Sequence, residues 1–182
     1  MGHFAVATIG RDRPGIVAAV SEVLLEHGAN IEDSQMTILR GHFTMTLIVS
    51  LGDQTRSETF DRLKDDLGRV RDRLALEALS ISEVADLDPA APQPSHIVTV
   101  YGVDHPGIVH AVTAALAERQ VNITDLTTRV FSGENDTPVY AMMIEVALPP
   151  DVEPAELERH LGAIKAEQNV ELSFRQLEQN LL

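Results

Sequence analysis

An α+β fold made of two tandem βαββαβ units follows from three observations on the sequence. First, Asp12-Arg13-Pro14-Gly15-Ile16-Val17 recurs as Asp104-His105-Pro106-Gly107-Ile108-Val109, with Pro106 lying 92 positions after Pro14 (106 − 14). The same offset carries Gly10 onto Gly102, Glu26 onto Glu118, Asn30 onto Asn122, Ile31 onto Ile123 and Asp33 onto Asp125. An internal repeat of this length fixes the architecture before propensities are consulted. Second, each copy of the motif follows an apolar run and opens a stretch with helical spacing. Third, the 182 residues suffice for two units of about 90 each.

In chain order, residues 4–9 are apolar almost throughout and read as a central strand. Ile16, Val20, Val23 and Leu24 follow at helical spacing with Glu26 on the outer side, and Gly28 ends the helix. Residues 31–40 form a second strand, with Ser34, Met36 and Ile38 on one face. A tight turn at Gly41-His42 leads into a third strand over 43–51, where apolar residues alternate with smaller or polar ones. Leu63, Leu67, Val70 and Leu74 mark a second helix, and residues 76–84 a last strand. Three prolines without apolar periodicity make 86–95 a short, stiff linker, so the expected domains are 1–85 and 96–182.

The second copy repeats this order. Strands are expected over 97–101, 123–132 and 170–177, with a third strand marked by Tyr140, Met142, Ile144, Val146 and Leu148. Ile108, Val112, Ala115 and Leu116 give one helix face, and Leu157, Leu161 and Ile164 another. Residues 133–138 lengthen the hairpin tip relative to the first copy. The order is that of the ferredoxin-like split motif. Two helices cover one face of a four-stranded sheet. The other face and the sheet edges must be solvated or partnered, and a homo-oligomer is the expectation.

Composition removes several functions. The 28 acidic residues against 14 basic ones give a net charge of −14, which repels nucleic-acid phosphates and argues against direct DNA or RNA binding. Aromatic residues, at 4%, are too few for a base-stacking sheet. The absence of cysteine excludes a disulfide framework, thiolate metal ligands and a thiol nucleophile. With no apolar run of membrane-spanning length and no basic and apolar leader, the reading is a cytoplasmic protein without membrane partners.

The motifs offer binding chemistry and no catalytic chemistry. Gly10 to Gly15 has P-loop spacing, yet Ile16-Val17 stand where Lys-Ser/Thr is required. His105 and His110 are five apart and do not share a helix face, so neither a metal nor another cofactor is expected. No Ser/His/Asp arrangement has motif support, and the chain reads as a non-enzyme. What remains is the repeated loop. Gly15 and Ile16, with Gly107 and Ile108, can offer backbone N–H groups to a carboxylate at a helix start. Asp12 and Asp104 can accept from an ammonium group, and Asn30 and Asn122 supply both a donor and an acceptor. Together these suit the head of an α-amino acid. A lone loop of this kind would read as a plain helix start, which its recurrence argues against, and the asparagines can equally be helix C-caps.

Asp-Arg-Pro-Gly-Ile-Val, followed fifteen residues after the glycine by Asn-Ile, resembles the signature of ACT domains. These are small ferredoxin-like regulatory modules that commonly bind amino acids at the interface between paired copies. Asn30-Ile31-Glu32-Asp33-Ser34, with Phe43-Thr44 opening the third strand, is more narrowly similar to the glycine cleavage system transcriptional repressor family. The resemblance implies an amino-acid sensor acting through a protein partner that binds DNA, with glycine or serine as ligand. It places the ligand positions at Asp12, Gly15, Ile16 and Asn30, and at Asp104, Gly107, Ile108 and Asn122. The second copy carries His105 for Arg13 and Gln120 for Gly28. A structural interaction module and a regulatory subunit of a metabolic enzyme are the alternative readings.

Overall fold

The computed structural model describes residues 2–52, 56–85, 87, 92–132 and 137–177. Half of the expected linker (86 and 88–91) and most of the lengthened hairpin tip (133–136) lie outside the described residues. The chain forms two compact units, Met1–Pro89 and Ala90–Leu182. The first runs β1 (Gly2–Arg11), α1 (Ile16–Glu26), β2 (Asn30–Leu39), β3 (His42–Leu51), α2 (Arg56–Arg73) and β4 (Ala78–Val84). The second runs β5 (His96–Val103), α3 (Ile108–Ala117), β6 (Asn122–Ser132), β7 (Pro138–Ala147), α4 (Pro154–Glu167) and β8 (Glu171–Gln176). Both sheets are antiparallel, in the orders β2-β3-β1-β4 and β6-β7-β5-β8. Each is the ferredoxin-like arrangement expected.

The period-two alternation of the central strands and the helical stripes meet in one core per unit. In the first, Phe4, Val6, Phe43, Met45, Leu47 and Val49 pack beneath Ile16, Val20, Leu24, Leu63 and Leu67. In the second, Val98, Val100, Met142, Ile144 and Val146 pack beneath Ile108, Val112, Leu116, Leu157 and Leu161. Met36 and Ile38 share the helix-side face with Met45 and Phe43 by register. They nevertheless stay 49% and 44% exposed, because β2 is an edge strand.

Each helix closes on a left-handed residue, and this corrects two strand starts. After α1, the Gly28 N–H bonds the Leu25 carbonyl and the Ala29 N–H bonds the Leu24 carbonyl, both at 2.9 Å. This is the pairing of a Schellman closure. After α2, the Leu76 N–H reaches the Arg71 carbonyl at 2.9 Å, and after α4 the Val170 N–H reaches Lys165 at 3.2 Å. Leu76 and Val170 therefore finish helices, and β4 and β8 begin only at Ala78 and Glu171. The first hairpin turn is Arg40-Gly41, both at positive φ, one residue earlier than the sequence spacing suggests. Gly10 and Gly102 are needed for close approach. A Cβ on either would lie 2.9 Å from the side chain of Leu76 or Val170.

Candidate functional site

The repeated loops form as the sequence implies. Gly15 and Gly107 are the N-cap residues of α1 and α3, at φ 96° and 106°, and no side chain caps either helix start. Glycine is required there by the backbone, since the left-handed region is costly for any residue with a Cβ. A Cβ on Gly15 would meet nothing within 4 Å, and one on Gly107 only the Gln168 side chain at 3.7 Å. Ile16 and Ile108 bury their side chains in the cores, at 1% and 2% exposure, which anchors the first turn of each helix. Asp12 and Asp104 are exposed. Their N–H groups tie the loops to the neighbouring hairpins, at 2.9 Å to the Gly41 carbonyl and 3.1 Å to the Pro138 carbonyl.

The asparagines stand elsewhere. Asn30 and Asn122 are the first residues of β2 and β6, exposed, and neither has a positive φ. The left-handed closing positions belong to Gly28 and Gln120, so helix capping does not account for the asparagines. Asn30 pairs with Ser50 near the end of β3, whereas Arg11, just before the loop, pairs with His42 at its start. The separation is eight residues (50 − 42) of antiparallel strand, about 26 Å. Within one unit, Asp12, Gly15 and Ile16 come together and Asn30 does not join them. The second unit separates Asp104, Gly107 and Ile108 from Asn122 in the same way, since Asn122 pairs with Ala147 at the far end of β7.

Electrostatics distinguish the two loops. His105 places Nε2 2.9 Å from the Gln168 carbonyl and Nδ1 3.1 Å from the Pro106 carbonyl. A neutral imidazole has one N–H, so only imidazolium donates to both. The Gln168 and Pro106 carbonyls, and then the nearby Asp104 charge, hold its pKa above the usual histidine value. Burial, with Asp104 contributing, raises that of Tyr140. Arg13, at the matching place in the first unit, makes no hydrogen bond or ion pair with the described residues. There the histidine contact lies at the other end of the helix, where His27 Nε2 is 2.8 Å from Asp66 Oδ2 on α2. That hydrogen bond, with Arg69 beside it, holds the Asp66 carboxyl below the usual carboxylate range. The His105 tether leaves no mark in the sequence, because its far partner is a main-chain carbonyl 63 residues away.

Grooves of about 660 and 620 Å³ run along α2 and β4 and along α4 and β8, the second of them lined by Gly102 and Val103 just before the loop of the second unit. Among the described residues no helix is long and apolar enough to cross a membrane. The ACT-domain profile matches residues 3–79 and again residues 96–160. The chain belongs to the ACT-domain family, as a tandem pair. The ACT pair is 27% identical over 175 residues to the glycine cleavage system transcriptional repressor of Escherichia coli, covering 94% of this chain and 89% of that protein. It is 40% identical over 79 residues to a UPF0237 protein of Methanopyrus kandleri, covering 43% of this chain and 86% of that one. The crystal structure of an unknown protein from Galdieria sulphuraria superposes with a TM-score of 0.76 at 28% identity, covering 97% of this chain and 98% of that one.

Proposed function

We propose that this tandem ACT protein is a non-catalytic regulator that senses an amino acid, glycine or serine, and acts on a DNA-binding transcriptional regulator. The observation that carries the sensing role is the pair of uncapped helix starts behind left-handed glycines, Gly15 and Gly107, each with an acidic residue three positions earlier. Free N–H groups at a positive helix end receive a carboxylate, and Asp12 or Asp104 receives an ammonium group. Similarity to the repressor along nearly its whole length supports the regulatory role. The acidic surface favours action through a partner over direct DNA contact. Asn30 and the loop stand at opposite ends of α1, so their contributions are tested by separate variants.

Titration calorimetry of the full chain with glycine and with serine tests the reading. Sensing needs release as well as capture, so a dissociation constant on the order of micromolar to millimolar is expected. Asp12→Ala and Asn30→Ala should each weaken it by about 1–3 kcal/mol, with smaller losses for Asp104→Ala and Asn122→Ala. If neither amino acid binds, or if all four variants bind as wild type does, the sensing role falls. Gly15→Ala is a poorer test, because strain at φ 96° disturbs the loop with or without a ligand.

A further inference from the structure

The outward face of the second sheet, opposite α3 and α4, carries a pattern that the first sheet lacks. On the first sheet that face is built mostly from small side chains, among them Ala5, Ala7, Thr44, Thr46, Ser80 and Ser82, and its exposed large apolar residues, Ile9 and Leu39, include no aromatic. On the second, Tyr101, Val103, Phe131 and Met143 project outward and are 45–53% exposed, with Tyr101 and Phe131 rings 6.3 Å apart. Their alternation with the buried Val100, Tyr140, Met142 and Ile144 places them on the uncovered side. An apolar cluster of this kind on a sheet face marks an interaction surface.

Charges frame the cluster in alternating corners. Register puts Asp125 directly beside Glu145 at one end of a row that finishes at Arg175. Two rows further along the strands, Arg129 stands above Asp125 and Glu171 above Arg175. Carboxylates directly opposite one another on neighbouring strands repel, and neither Asp125 nor Glu145 meets a cation among the described residues. Arg129 and Arg175 likewise pair with no described carboxylate. Glu171 reaches sideways to Lys165 at 2.5 Å.

We infer that this face is the docking surface for a second copy of the chain, related by a two-fold axis running parallel to the strands between β7 and β5. That axis sets Arg175 of the second copy over Asp125, one strand from Glu145, and Glu171 of the second copy over Arg129. It also lays large side chains on small ones, Tyr101 over Ala141 and Met143 over Thr99, and sets Val103 over Val139. Each contact then occurs twice, as an isologous interface requires, and aligned sheet-on-sheet packing accommodates the strand directions. A uniformly acidic or basic partner would meet half of these corners with the wrong sign. The surface is self-complementary, and it works independently of ligand binding at the loops.

Sedimentation velocity of the full chain at about 20 μM, a concentration at which a specific interface of ordinary size is populated, tests the inference. Met143→Lys, on an exposed outward position, should halve the mass of the wild-type species. Arg175→Glu sets like charges together and should weaken association at least about tenfold. Adding Asp125→Arg to Arg175→Glu should recover most of that loss. A monomeric wild type, an unchanged mass for Met143→Lys, or a double variant no better than Arg175→Glu alone would each overturn it.

Discussion

The two ACT units share a backbone plan and differ in the side chains that hold it. Glycine recurs wherever the backbone itself needs it: Gly10 and Gly102 for close approach, Gly15 and Gly107 for a left-handed turn. Elsewhere the copies diverge. Beneath the helices, the first unit buries Thr8, whose hydroxyl finds no hydrogen-bond partner among the described residues, where the second has Val100. The first closes α1 on Gly28 and the second closes α3 on Gln120, at φ 66° and 55°. The first ties its helices with His27 and Asp66, whereas the second ties its loop to α4 with His105. Duplicated backbone geometry tolerates few residue types, while the packing and polar contacts on it can be solved more than once.

The core difference should give the largest effect on stability. Val100→Thr places an unpaired hydroxyl in the second core and should cost about 1–3 kcal/mol, read by chemical denaturation. The reverse change, Thr8→Val, should raise the stability of the first unit by about 1 kcal/mol. Were Thr8→Val destabilising, the hydroxyl would have a partner after all and the contrast between the cores would fail.

Smaller effects belong to the helix closures. Gln120→Gly relieves a side chain in the left-handed region and should stabilise the second unit by about 0.5–1 kcal/mol, the strain relieved being partly offset by a freer unfolded chain. Gly28→Ala should cost the first unit about 1 kcal/mol for the same reason. Equal responses to these opposite changes in thermal unfolding would mean that the closures are not equivalent.

The two histidine ties should respond to pH in opposite directions. His105 has a folded-state pKa above its ordinary value. Its contribution is therefore full below the ordinary histidine range and is lost as pH rises through the raised value. Asp66 has a depressed pKa, so its contribution is full above the ordinary carboxylate range and is lost as pH falls through the lowered value. Hydrogen exchange, corrected for intrinsic rates, should show the loop after His105 and the end of α4 loosening as pH rises through the ordinary histidine range and above it. His105→Gln should remove that dependence and leave the first unit unchanged. A pH response that survives His105→Gln would assign the tether to another group.

Much of the fold was legible because short-range chemistry encodes it. Alternation in 43–51 and the stripe Leu63, Leu67, Val70 state which face is buried, and the repeated Pro-Gly states where a helix starts. The left-handed glycines of the candidate site were legible for the same reason, since they answer a local backbone demand. The ends of β4 and β8 were not, because Leu76 and Val170 are apolar whether they open a strand or finish a helix. The gap between Asn30 and its loop was legible too, because the whole of α1 lies between them. The His105 tether, and the alternation of charges across β6, β7, β5 and β8, exist only through strand register and long-range main-chain contacts. Sequence by itself determined the repeat, the class of fold and the residues with special backbone needs. Tertiary structure alone decided which side chains meet, because residues far apart in the chain become neighbours only when the sheet is assembled.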